Sequence, residues 1–236
     1  MMPPVAILAG GLGTRLHPMT LNQPKSLLEV AGKPFIFHQL DLLKRQGFSE
    51  AVLCVGRFGE KIREYVGNGS AWGLAVQYSF DGDRPLGTGG ALKKAAPLLP
   101  EKFFVLYGDS YLDIDLKPIL ERFECEGKPA LLTAYRNNGQ WDQSNVLLRE
   151  GRILKYDKKN PSPDMKHIDY GLSILKKSVV AGWPAGKAFD LADAYHELVE
   201  RGQMTAYEAG KRFYEIGSAK GIEELARYLN TCNKPY

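Results

Sequence analysis

Short β-branched or aromatic runs alternate along this chain with stretches of helical period, the arrangement that builds a parallel sheet covered on both faces. Val5–Leu8 is the first such run and ends in a glycine-rich turn. A helix is predicted over 34–46, with Pro34 suited to a first turn, Ile36, Leu40 and Leu43 on one face, and Gly47 as its stop. A buried strand at 51–55 follows, then a helix at 60–66 that stops at Gly67-Asn68-Gly69, and a strand at 75–80. The next helix, about 90–96, begins just after a second glycine cluster, and strand 103–107, helix 116–124 and strand 130–135 complete the first half. Beyond this point the pattern changes. Residues 145–149 and 153–156 alternate around Glu150-Gly151-Arg152 as a hairpin, and 168–175 forms another strand after the turn-rich 160–164. A helix at 191–200, strands at 205–208 and 212–216 and a closing helix at 222–229 finish the pattern.

At 236 residues the chain is read as one domain, residues 1–236. Its 44% hydrophobic and 25% charged residues are ordinary for a soluble globular protein. No apolar stretch approaches the roughly 20 residues of a membrane span, and Met1-Met2-Pro3-Pro4 has no signal-peptide character. Cys54, Cys125 and Cys232 are odd in number and lack a C-x-x-C, which argues against a zinc site or disulfide framework and suits the cytoplasm. The net charge of +4 is spread along the chain, so nucleic acid is not an expected partner. A membrane is not expected either.

The richest signal is Leu8-Ala9-Gly10-Gly11-Leu12-Gly13-Thr14-Arg15-Leu16, followed by Pro24-Lys25. Glycines let a backbone turn sharply and bring N–H groups close to phosphate oxygens, while Arg15 and Lys25 add positive charge. A dinucleotide fingerprint fails here, because Leu16 stands where its third glycine belongs. A Walker A loop fails too, since Lys25-Ser26 is preceded by Pro24. What remains closely resembles the opening motif of the sugar-1-phosphate nucleotidyltransferases. Within that family the short heptose- and mannose-1-phosphate guanylyltransferases are the most similar in appearance, through G-G-L-G-T-R-L and L-G-T-G-G-A.

The resemblance implies a three-layer α/β/α, Rossmann-like nucleotidyltransferase fold with a mixed, mostly parallel sheet and a small β excursion for the acceptor. Residues 1–136 would bind the nucleotide and 137–236 the sugar phosphate. Leu8, Ala9, Gly10, Gly11, Gly13, Thr14, Arg15 and Lys25 would hold the nucleotide, with Gly87 and Thr88 of the second cluster against its base. Asp109, in Gly108-Asp109-Ser110 after a strand, stands where open α/β sheets bind ligands and is an expected ligand of Mg²⁺. Its partner is Glu215, in Phe213-Tyr214-Glu215-Ile216-Gly217-Ser218, at a position where the family usually has aspartate. A structural carboxylate near a helix start is the other reading of Glu215.

Asn145, Asp157, Lys158, Asp169 and Gly171 are expected at the sugar phosphate, with aspartates at 157 and 169 where relatives carry glutamate and asparagine. A solvated hairpin end is the blander reading of Lys158 and Lys159. Trp141 is the tryptophan placed to touch sugar. Arg15, Lys25 and Asp109 are the expected catalytic residues, joining a nucleoside triphosphate to a sugar 1-phosphate with release of pyrophosphate. GTP with heptose or mannose 1-phosphate is the first expectation. Uridylyl, cytidylyl or thymidylyl transfer, and a catalytically silent regulatory relative, are the alternatives. His17, His38, His167 and His196 show no ligand spacing and are assigned no role. A homo-oligomer is left open.

Overall fold

A computed structural model describes residues 1–232, except the side chain of Cys232. The elements are β1 (Val5–Leu8), β2 (Glu29–Val30), β3 (Lys33–Pro34), α1 (Phe35–Arg45), β4 (Glu50–Val55), α2 (Gly59–Val66), β5 (Ala75–Phe80) and α3 (Gly87–Ala95). Next come β6 (Lys102–Tyr107), β7 (Ser110–Tyr111), α4 (Lys117–Glu126), β8 (Ala130–Arg136), β9 (Val146–Arg149), β10 (Arg152–Tyr156) and β11 (His167–Lys176). The chain continues through α5 (Lys177–Ala181), α6 (Leu191–Glu200), β12 (Met204–Ala209), β13 (Tyr214–Glu215) and α7 (Ala219–Cys232).

Nine strands form one sheet. β5, β4, β1 and β6 run parallel, β11 then pairs antiparallel with both β6 and β8, and β12 joins β8 in parallel. The β9–β10 hairpin branches from the start of β11 through the pair His167–Val146. This is the expected mixed sheet with a small β excursion.

Alternation along the strands sends neighbouring side chains to opposite faces. Ala6, Val52, Phe103 and Val105 meet Leu92 and Ala95 of α3 and Leu191 and Leu198 of α6 on one side. Val5, Ile7, Leu53 and Phe104 meet Ile36, Leu40 and Leu43 of α1, Ile62 of α2 and Ile119 of α4 on the other. Three layers result. A third cluster, with Phe35, Tyr111, Ile216 and Leu225, fastens α7 to the edge of the molecule.

Two expectations need correction. The strand expected over 212–216 is only Tyr214–Glu215, because the strand it pairs with, Ser110–Tyr111, is equally short. The helix expected from 90 begins at Gly87, so the glycine cluster lies inside it. Helix propensity disfavours this, but tertiary packing overrides it. A Cβ on Gly89 would fall 2.2 Å from the Phe189 ring, and one on Gly90 would fall 2.5 Å from the Lys187 carbonyl oxygen. The β2–β3 hairpin, α5 and the 3₁₀ turns Thr14–Leu16 and Lys25–Leu27 had no periodic signature in the sequence.

Candidate active site

In parallel register Leu8 stands beside both Cys54 and Tyr107, so β1, β4 and β6 end level with one another. Their loops then press together closely enough to require glycine. A Cβ on Gly108 would sit 2.5 Å from the Leu8 carbonyl oxygen, and one on Gly56 would sit 2.7 Å from that of Gly10. The Ala9 N–H donates to the Cys54 carbonyl at 2.8 Å and the Gly108 N–H to that of Leu8 at 3.1 Å. These contacts fix the point at which Asp109 leaves the sheet. Lys25, 84 positions earlier in sequence, donates from Nζ to Asp109 Oδ2 at 2.6 Å.

Two cavities open at this edge. The first, about 300 Å³, is lined by Leu8, Ala9, Gly10, Gly11 and Lys25 from the signature loop, by Gly87 and Thr88, and by Asp81, Asp190 and Cys54. The second, about 370 Å³, is lined by Arg15, Asn145, Asp169, Gly171, Glu215, Trp141 and Arg212. Tyr107, Asp109 and Lys158 line both. Three expected residues stand apart from them. Gly13, at φ +63°, shapes the loop and its carbonyl accepts the Thr20 hydroxyl at 2.8 Å, while neither Gly13 nor Thr14 lines a cavity. Asp157 is turned into its own loop, accepting the N–H groups of Asn160 at 2.7 Å and Lys159 at 3.1 Å, which lower its pKa.

The wall of the second cavity is built by a bulge in β11. Between Asp169 and Ser173 the register with β8 slips, and Gly171 adopts φ +84° with its Cα turned toward Ser110. The Asp169 carboxylate thereby collects the hydroxyls of Tyr107 at 3.0 Å and Tyr156 at 3.1 Å on Oδ2, and the Gly171 N–H at 2.9 Å on Oδ1. Asn145 Oδ1 accepts the Asp169 N–H at 2.9 Å. Burial raises the pKa of this carboxyl, and the Gly171 N–H and Lys158 offset part of the rise. Both tyrosines are raised as well, by burial first and by the Asp169 charge second.

Asp109 and Glu215 come together through the β7–β13 ladder, in which Glu215 pairs with Ser110 and the Ile216 N–H donates to the Asp109 carbonyl at 3.0 Å. The Glu215 carboxylate accepts the Ser218 hydroxyl at 2.8 Å and the Gly217 N–H. Arg15 lies against the same turn, its Nη2 3.0 Å from where a Gly217 Cβ would be. Thr88 does not cap its own helix. Its hydroxyl donates to Asp190 Oδ1 at 2.9 Å and accepts the Leu191 N–H at 2.8 Å, capping α6. The N–H groups of Gly89 and Gly90 both donate to the Phe189 carbonyl.

Sequence reasoning missed Asp81, Asp190, Tyr107 and Arg212. Asp81 follows the fifth strand as Asp109 follows a later one, a signal available in the sequence; the other three carry none. None of the histidines lines either cavity: His38 bonds the Val30 carbonyl, His167 bonds Glu208, and His196 bonds the Tyr156 carbonyl. No helix among the described residues is long and apolar enough to cross a membrane.

The family model of the nucleotidyl transferases matches residues 5–144. A D-glycero-alpha-D-manno-heptose 1-phosphate guanylyltransferase of Aneurinibacillus thermoaerophilus is 31% identical over 231 residues, covering 94% of this chain and 98% of that one. A UTP–glucose-1-phosphate uridylyltransferase of Synechocystis sp. is 30% identical over 213 residues, 83% of this chain, and this match spans 55% of the relative's length. Among solved structures, HddC from Yersinia pseudotuberculosis complexed with GMP-PN has a TM-score of 0.81 at 25% identity, covering 97% of this chain and 100% of the other. A family match over more than half of the chain, together with near full-length agreement with the Aneurinibacillus enzyme, makes this chain a member of the sugar-1-phosphate nucleotidyltransferase family.

Proposed function

We propose that the chain transfers a guanylyl group from GTP to the phosphate of heptose 1-phosphate or mannose 1-phosphate, releasing pyrophosphate. One observation carries this reading: two cavities, one walled by the signature loop and one by Asn145, Asp169 and Gly171, share Asp109 and Lys158. A donor in the first and an acceptor in the second would meet at those two side chains.

The attacking group is an oxygen of the sugar 1-phosphate, largely dianionic at neutral pH because its second pKa is about 6. It needs no general base, in keeping with histidines engaged elsewhere. Lys25 and the loop amides hold the donor phosphates, Arg15 offsets charge on the departing pyrophosphate, and Lys158 offsets the repulsion between donor and acceptor. Catalysis is then positioning and electrostatics.

The residues present fit Mg²⁺. A hard ion held by one or two carboxylates plus substrate phosphates asks for no further protein ligand, and Asp109 and Glu215 line the same cavity, Glu215 pairing with Ser110, the residue after Asp109. No cluster of three or more metal-ligating side chains is found among the described residues. Mg²⁺ bound there would withdraw charge from the α-phosphate.

Asp81 favours guanine as the base. Its carboxylate lies in the nucleotide cavity with the Leu86 N–H on Oδ2 at 3.2 Å. A carboxylate offers two acceptors to the adjacent N1–H and N2–H₂ donors of guanine. Uracil and thymine present one N–H flanked by two carbonyl oxygens, which a carboxylate repels.

The test is pyrophosphate release with Mg²⁺ across GTP, ATP, UTP, CTP and dTTP against hexose and heptose 1-phosphates. Release requiring GTP together with one of the two acceptors is expected; release with another base would move the assignment within the family. A second reading, a catalytically silent nucleotide-sugar-binding relative, is favoured by one feature, the engagement of the Glu215 carboxylate by its own turn. GTP binding without release on any acceptor would select it.

A further inference from the structure

The loop between β8 and β9 forms one side of the acceptor cavity, with the exposed Trp141 at its tip. It is organised from its own stem. Asn137, fully buried, donates from Nδ2 to the Asp142 carbonyl and to Ser144 Oγ, the latter at 3.2 Å, and accepts the Trp141 N–H on Oδ1 at 3.1 Å. Behind the loop lies a second open space, lined by Asn138, Gly139, Gln143 and Ser144 on one side and Pro161 and Met165 on the other. The loop is thus a preformed wall between two spaces, and its place depends on what grips its tip.

Arg212 grips it. The guanidinium carbon lies 3.5 Å from the centroid of the Trp141 ring and 4.5 Å from that of Tyr214, while Nη2 donates to Glu224 Oε2 on α7 at 2.6 Å. A flat cation between two aromatic faces, tied at its edge by a carboxylate, is fixed in its plane in a way an ammonium is not.

We propose that Arg212 is a positioning residue of the acceptor site: stacking on Trp141, it holds the 137–145 loop closed over the sugar, whose C–H face packs against the indole. The proposal rests on sugar 1-phosphate binding in this cavity. Closure also keeps water from the α-phosphate of the donor. Water attacking that phosphorus in place of the sugar phosphate would give GMP and pyrophosphate, so the share of GMP among the products reports the wall.

Arg212→Lys keeps a cation for Glu224 and loses the flat stacking group. It is expected to raise KM for the sugar 1-phosphate about tenfold, to raise the share of GMP, and to leave the KM for GTP unchanged. Trp141→Ala should cost at least as much, the double variant should be no worse than Trp141→Ala alone, and Trp141→Phe should restore most of the affinity. An unchanged acceptor KM in Arg212→Lys, or losses that multiply in the double variant, would overturn the proposal. A turnover-free readout comes from a Trp72→Phe, Trp183→Phe background, in which Trp141 is the sole fluorophore of its kind. There Arg212→Lys should shift emission to the red and increase acrylamide quenching; no change would overturn the stack. Wild-type silence with every sugar phosphate would overturn the transfer reading and the sugar contact with it, while the fluorescence still decides the stack.

Discussion

At the scale of single residues, two carboxylates that line the same cavity are held for opposite ends. Asp109 is partly exposed and tied to Lys25, so Asp109→Asn keeps a hydrogen-bond acceptor for the lysine while removing the charge. Turnover with Mg²⁺ should fall by about a thousandfold with the melting temperature little changed, and near-normal turnover would remove Asp109 from the reaction. Asp169 is different, because its charge is held against burial. The folded chain binds a proton at Asp169 over a window in which the unfolded chain has already released it. Its contribution to stability therefore falls as pH rises from the ordinary carboxylate value, about 4, through the raised one. Asp169→Asn keeps an acceptor for the Gly171 N–H and removes the buried charge. Its melting temperature at pH 7 should equal or exceed that of the parent, with the gap narrowing toward pH 4. A lower melting temperature at pH 7 would mean that the two tyrosine hydroxyls need the full negative charge.

Among the elements, glycines separate what the sequence shows from what it hides. Val5–Leu8, the glycine-rich turn and Lys25 were readable because a periodic strand followed by glycine has few alternative uses. In the sequence the second glycine cluster is the lead-in to a helix, with Gly87 and Thr88 expected against a base, whereas Gly89 and Gly90 make room for Phe189 and Lys187, which lie about a hundred positions away. No local pattern carries that information. The packing roles of Gly56 and Gly108 are hidden for the same reason, since Gly56 is required by the backbone of Gly10 in the loop after β1 and Gly108 by that of Leu8 in β1. Arg212 belongs here too: its stacking partners come from the 137–145 loop and β13, and its ion-pair partner from α7. Gly171→Ala tests the bulge. It imposes φ +84° on a residue with a side chain and sets a Cβ 2.7 Å from Ser110 Oγ, so a loss of about 1–3 kcal/mol in unfolding free energy is expected. Chemical denaturation measures it, and a neutral result would show that the bulge relaxes freely.

Over the whole molecule, the two cavities join segments that are remote in sequence. α6 is capped from α3 by Thr88, the β11 strand lies between β6 and β8, and Lys158 reaches the shared wall from the loop after β10. Ligands that fill both cavities therefore bind only the assembled fold, and each should raise the melting temperature according to its own affinity. Lys158 separates the two. Its ammonium lies 5.7 Å from the centroid of the Tyr107 ring, at the common boundary, and Asp169 lies within its field. Lys158→Ala removes a positive charge from the point where two phosphates approach, so its loss should be felt chiefly when the second phosphate arrives. The expected result is a stabilisation by GTP and Mg²⁺ close to that of the parent, with the added stabilisation by sugar 1-phosphate largely lost and its KM raised. Equal loss of both responses would assign Lys158 to the donor phosphates, and retention of both would return it to the solvated surface.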